Sequence, residues 1–71
     1  MHNRYMSSAP SIMKGNRLAR GLTQEQVAKI TGVDRTTITK IENGTLRPSV
    51  KTAQKIAQVL DFDWTLFFYV V

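Results

Sequence analysis

Apolar side chains recur along most of this chain at the three- and four-residue spacing of helices, broken by glycines and short polar turns. The clearest stripe is Val50, Ala53, Ile56, Ala57 and Leu60, which predicts a helix over 50–60, with Ser49 as its N-cap. Upstream, a helix is predicted over 12–20, with Met13, Asn16, Arg17 and Arg20 on one face. Ser11 is its expected cap, and residues 1–10, ending at Pro10, read as a flexible N-terminal arm. Gly15 weakens that helix by about 1 kcal/mol relative to alanine, and Gly21 supplies a natural stop.

Thr23-Gln24-Glu25-Gln26 has the form of a capping box, in which the Thr23 hydroxyl accepts from the Gln26 backbone and the Gln26 side chain reaches back. A second helix is therefore expected over 24–31, with Val27 and Ala28 inward. Gly32 supplies the positive φ of a sharp turn. Asp34 caps a third helix over 35–43, buried through Ile38 and Ile41 and stopped by Asn43-Gly44. After a loop over 45–48 and the 50–60 helix, Phe62-Asp63 is a turn, with Asp63 capping a short final helix from Trp64. The predicted architecture is all-α, with five short helices.

Charge changes this picture. Ten Lys and Arg stand against five Asp and Glu, a net +5. Within 35–55, Arg35, Lys40, Arg47, Lys51 and Lys55 face Glu42 alone, so the excess sits in the middle of the chain and implies an anionic partner. Five of the six aromatic residues, Phe62, Trp64, Phe67, Phe68 and Tyr69, fall in the last ten positions, which implies a core or an interface there. With 71 residues the chain holds one small domain, and with no cysteine it has neither disulfides nor thiolate metal ligands.

Catalysis is not expected. The sole histidine, His2, falls in the arm, where it reads as a solvated or tag-like residue. There is no glycine-rich phosphate loop and no histidine pair at metal spacing, so neither a metal nor a cofactor is expected. The Asp61/Asp63 pair reads as a turn and a helix cap. The longest apolar run, 66–71, is far short of the ~20 residues a membrane span needs, and 1–10 lacks the apolar stretch of a secretory signal. A cytoplasmic location follows as the default.

The second and third predicted helices, joined by a short glycine-containing turn, have the helix-turn-helix pattern. Ala28 is small where the two helices cross, and Val27, Val33, Ile38 and Ile41 fill the space beneath the turn. At about 100° per residue, burying Ile38 and Ile41 turns Arg35, Thr36, Thr39, Lys40 and Asn43 outward. That face has cations, hydroxyls and an amide but no acid, which suits the acceptors and thymine methyls of a DNA major groove. On spacing alone, an ordinary αα-hairpin with a solvated polar face stays open.

Leu22-Thr23-Gln24-Glu25-Gln26-Val27-Ala28, then Thr31-Gly32-Val33, Thr36-Thr37-Ile38-Thr39-Lys40-Ile41-Glu42-Asn43-Gly44, Pro48-Ser49, Ala53 and Ile56-Ala57 together resemble the phage Cro/CI repressor type of helix-turn-helix domain, the XRE family. The resemblance covers 12–68 and implies a five-helix, lambda-repressor-like DNA-binding domain. By the same resemblance Arg35, Thr36 and Lys40, with Thr39, match the positions that reach base edges. Gln24 matches a phosphate-anchoring glutamine, and Thr23, Thr37, Asn43 and Thr45 match further backbone-contact positions. Arg17 and Glu42 match a buried ion pair tying the first helix to the end of the third. Arg47, Lys51 and Lys55 add expected phosphate contacts.

Three positions depart from the family pattern. Asn16 stands where an apolar or small residue is usual, Asp34 replaces a hydroxyl cap, and Lys51 replaces an acidic first turn.

The implied function is a sequence-specific regulator of transcription, a homodimeric repressor of phage or mobile-element type that binds a near-palindromic double-stranded operator. The other reading that the resemblance admits is an antitoxin-type module that binds a cognate toxin and autoregulates its operon; a toxin or antirepressor would then be a protein partner. Residues 11–68 are the expected DNA-binding domain and 64–71 the expected dimerisation segment. Trp64, Phe67, Phe68, Tyr69, Val70 and Val71 are its interface, because a helix apolar on every side exceeds what one small core absorbs.

Overall fold

In a computed structural model, which describes residues 8–68, the chain forms four α-helices and one 3-10 segment. The helices are α1 (Ala9–Ala19), α2 (Gln24–Thr31), α3 (Arg35–Glu42) and α4 (Val50–Leu60), followed by the 3-10 turn Trp64–Phe68. No strand occurs among the described residues. The expectation of five α-helices is therefore corrected to four. The last segment has only five residues, and its first bond, Leu66 N–H to Asp63 O at 3.1 Å, spans three positions rather than four.

Helices α2, α3 and α4 run as their local signals dictate. Thr23 accepts from Gln26 N at 3.0 Å while its own N–H donates to Gln26 Oε1 at 2.8 Å, closing the capping box. Asp34 Oδ2 accepts from Thr36 N at 2.9 Å, and Ser49 Oγ accepts from Thr52 N at 3.2 Å. Gly32, at φ 75°, ends α2 in the left-handed conformation and turns the chain into α3.

Helix α1 starts three residues earlier than its sequence implies. Ala9 is fully buried, and Pro10 falls within the first two helical positions, where a missing N–H breaks no bond. Ser8 rather than Ser11 takes the cap position, and it makes no side-chain capping bond. Residues 9 and 10, expected in the arm, thus belong to α1; the rest of the expected arm, residues 1–7, lies outside the described residues.

The core joins all four helices and the 3-10 segment. Met13, Val27, Ile38, Ile41, Ile56, Leu60 and Phe67 are fully buried, with Val33 packed at the margin. Val50 does not belong to it: 49% exposed, it precedes the buried stripe of α4, which begins at Ala53. Asn16 settles how α1 packs despite its polarity. Its Nδ2 donates to the Leu60 carbonyl at 2.9 Å, so α1 satisfies a carbonyl that the end of α4 leaves without a helical partner.

Candidate nucleic-acid interface

The geometry of the site begins at the turn between α2 and α3. Thr31, the last residue of α2, is buried. Its hydroxyl donates to Val27 O at 2.7 Å and accepts from Val33 N at 3.2 Å, binding the end of α2 to the turn. A β-branched residue with a hydroxyl can donate back to a carbonyl four residues earlier, so the residue type was a signal, though a weak one.

Helix α3 buries Ile38, Ile41 and Glu42 and turns its other side outward. Arg35, Thr36 and Lys40 are exposed, as is Asn43 at the helix end, while Thr37 and Thr39 are half-buried. The nearby acid, Asp34, is exposed, and its carboxylate holds the first turn of α3. Elsewhere in the domain Thr23, Thr45, Arg47, Lys51 and Lys55 are also exposed. Thr45 is more constrained than its exposure suggests, since its hydroxyl and its N–H both donate to Lys40 O, at 3.1 and 3.0 Å. The outward surface is thus cationic and rich in donors. It matches the acceptors of base edges and phosphates.

Behind this face lies a buried polar network. The Arg17 guanidinium meets the Glu42 carboxylate through three N–H···O contacts: Nε to Oε1 at 3.0 Å, Nε to Oε2 at 3.3 Å and Nη2 to Oε2 at 2.8 Å. The two side chains are 10% and 2% exposed. Arg17 Nη1 also donates to Leu22 O at 2.7 Å, which ties the α1–α2 loop to the pair. Hydrogen bonding to Glu42 raises the Arg17 pKa above its ordinary value despite the opposing effect of burial, so the arginine stays charged.

Gln24 extends this network to the surface. Its Nε2 donates to Glu42 Oε1 at 3.2 Å, and its Oε1 accepts from the Thr39 hydroxyl at 2.8 Å. Sequence reasoning placed these two residues as separate DNA contacts, and the structure brings them together. Nothing in the linear order pairs them, because the contact depends on how α2 crosses α3.

The aromatic end divides differently from the sequence expectation. Phe67 is fully buried and meets Phe62 at 5.5 Å between ring centroids, so it is a core residue and not part of a surface. Trp64 and Phe68 are half-buried and pack edge to face at 6.0 Å. Tyr69, Val70 and Val71, the rest of the expected interface, lie outside the described residues.

Comparison with known proteins agrees with this geometry. The helix-turn-helix family HTH_3 matches residues 13–67. An uncharacterized HTH-type transcriptional regulator of Bacillus subtilis (strain 168), YqaF, is 54% identical over 56 residues, which span 79% of this chain and 74% of that protein. The ImmF control region 10 kDa protein of Bacillus phage phi105 is 38% identical over 53 residues, 75% of this chain and 59% of the phage protein. Among solved structures, an HTH_3 family transcriptional regulator from Vibrio cholerae superposes with a TM-score of 0.73 at 34% identity, over 87% of this chain and 35% of that one. The restriction-modification controller protein C.AhdI from Aeromonas hydrophila gives 0.73 at 30% identity, over 83% and 89%. No helix among the described residues is long and apolar enough to cross a membrane.

Proposed function

The chain belongs to the HTH_3 helix-turn-helix family, one of DNA-binding transcriptional regulators and not of enzymes, and from that premise we propose that it is a homodimeric repressor of phage or mobile-element type. Helix α3 lies in the major groove of double-stranded DNA in the cytoplasm. The observation that carries this reading is the acid-free outer side of α3, with Arg35, Thr36 and Lys40 exposed on a helix held from behind by the Arg17–Glu42 pair.

The division of labour follows from chemistry. Arg35 and Lys40 donate to guanine O6 and N7, and the Thr36 methyl touches a thymine methyl. Arg47, Lys51 and Lys55 neutralise phosphates without reading sequence, with Gln24, Thr23, Thr37, Asn43 and Thr45 as neutral backbone contacts. Relatives in a phage control region and in restriction-modification control support a regulator that acts on its own genetic unit.

A single helix reads only a few base pairs, so two copies bind a near-palindrome with recognition helices about 34 Å apart. The dimer forms through 64–71, with Trp64 and Phe68 as the half-buried aromatic part. Sedimentation of the full chain against one ending at Phe68 tests the terminal residues without removing Phe67 from the core. A shortened chain that stays fully dimeric would exclude 69–71 from the interface.

The function itself is tested by selecting bound DNA from a random pool at stated salt. A symmetric enriched site is expected, with preference relaxed at one position each by Arg35→Ala and Lys40→Ala. Lys51→Ala should weaken all sequences alike and flatten the salt dependence by about one phosphate. Unchanged preference in both α3 variants overturns the assignment of that helix as reader.

A further inference from the structure

The Gln24 amide is engaged at both ends inside the protein. Its oxygen accepts from Thr39 Oγ1 at 2.8 Å, and its nitrogen donates to Glu42 Oε1 at 3.2 Å. A carboxylate paired with a guanidinium accepts hydrogen bonds and donates none, so the nitrogen must face Glu42. The Thr39 hydroxyl then has one available role, donation to the oxygen on the other side of the amide. The amide plane is thereby held in one of its two flips. One Gln24 N–H hydrogen is left over, with no protein acceptor recorded among the described residues, on a side chain that is only half-buried.

We infer that Thr39 is a positioning residue, and not a base reader: with Glu42 it locks the Gln24 amide in the flip that leaves an N–H donor for a DNA backbone phosphate. The hydroxyl hydrogen with which Thr39 would address a base acceptor is already committed to Gln24. The residue therefore contributes to affinity from α3 through a contact made from α2. It also links the register of the two helices on DNA, because the reading helix and the phosphate donor share one hydrogen-bonded chain, Arg17–Glu42–Gln24–Thr39. This inference rests on the DNA-binding reading proposed above.

The mechanism has a distinctive signature. A neutral amide donor releases no condensed counterion, whereas a lost lysine or arginine contact lowers the slope of affinity against salt. A lost base contact instead changes sequence preference. Removal of the Thr39 hydroxyl should do neither.

The test compares the wild-type chain with Thr39→Val, Thr39→Ser, Gln24→Ala and the Gln24→Ala/Thr39→Val double variant, on the selected site and on unrelated duplex, from 50 to 200 mM salt. Concentrations of active protein are fixed by stoichiometric titration, so partial unfolding does not mimic weak binding. Thr39→Val should weaken both DNAs by a similar factor, about 3- to 10-fold for one hydrogen bond, with the salt slope and base preference unchanged. Thr39→Ser should restore wild-type affinity, and the double variant should bind no more weakly than Gln24→Ala. Replacing single phosphates by neutral methylphosphonates should reveal one position per half-site where wild type loses affinity and both Thr39→Val and Gln24→Ala do not.

A shift in base preference for Thr39→Val, failure of serine to restore binding, additive losses in the double variant, or wild-type affinity in Thr39→Val each overturns the positioning role alone. A wild-type chain that retains no DNA overturns the DNA-binding reading, and this inference with it.

Discussion

Asn16 on α1 donates its side-chain amide to the carbonyl of Leu60, 44 positions later, at 2.9 Å, and makes a longer contact of 3.5 Å with the carbonyl of Asp61. Helix α4 ends there with Asp61 in the left-handed conformation, φ 59°, at a place where glycine is the usual residue. A side chain from another helix thus completes a helix end whose own sequence offers no glycine. Arg20, the C-cap residue just past α1, reaches the Asp61 carboxylate at 3.7 Å, an exposed pair that adds little.

Replacing Asn16 by alanine should therefore destabilise the fold by about 1 kcal/mol, the net worth of one hydrogen bond to a partly buried carbonyl. Urea unfolding with an unchanged m-value is the measurement. Arg20→Ala should fall within about 0.5 kcal/mol of wild type, and a larger effect there than at Asn16 would reverse the assignment.

The Arg17–Glu42 pair gives a sharper contrast between single and double replacement. Arg17→Met or Glu42→Leu strands a buried charge, and each should cost about 3–5 kcal/mol. The double variant should recover much of that loss, since two well-packed apolar side chains carry no desolvation cost. Thermal unfolding of the three variants reads the coupling directly; additive losses would mean that the two charges do not stabilise each other. For a chain this small, either single variant is expected to populate the unfolded state measurably.

Two glycines should respond to alanine with opposite signs. Gly15 lies inside α1, and an added Cβ meets nothing within 4 Å, so Gly15→Ala should stabilise by about 1 kcal/mol through helix propensity. Gly32 has equal space but φ of 75°, so Gly32→Ala should destabilise by about 1–2 kcal/mol from backbone conformation alone. Melting temperatures moving in the same direction would contradict the conformational reading.

Acid sensitivity should trace in part to Asp63. Its carboxylate accepts from the Thr65 hydroxyl at 2.7 Å and the Thr65 N–H at 3.0 Å, and these bonds hold its pKa below the ordinary 3.8. A carboxyl depressed in the folded state stabilises it above the unfolded value, and that contribution disappears as pH falls through the folded one. The stability gap between wild type and Asp63→Asn should accordingly be present at neutral pH and close in acid below 3.8. Denaturant midpoints measured across that range check it, and a gap of constant size would show that the charge is not involved.

The parts of this molecule legible in its sequence are those built by contacts within one turn of chain. Thr23 with Gln26, Asp34 with Thr36 and Ser49 with Thr52 are bonds across two or three positions, so residue type and spacing suffice to place the starts of α2, α3 and α4. The outward face of α3 was legible for a related reason, since helical periodicity alone turns Arg35, Thr36 and Lys40 away from Ile38 and Ile41. Where a local signal competed with burial, burial prevailed. Ser11 offered a good cap, yet the helix starts earlier because Ala9 fits the core. The terminal aromatics read as one apolar surplus, yet Phe67 is enclosed while Trp64 and Phe68 remain at the margin.

The sequence by itself thus determined three of the helices, the glycine turn between α2 and α3, the basic middle of the chain and the family to which it belongs. Only the tertiary structure decided that Gln24 and Thr39 share a hydrogen bond 15 positions apart, that Asn16 completes the end of α4, and that the last element is a 3-10 turn closing on Phe67. The physical reason is range. A cap or a helical face is set by a few adjacent torsions, whereas a bond between side chains on different helices exists only once packing has set how those helices cross.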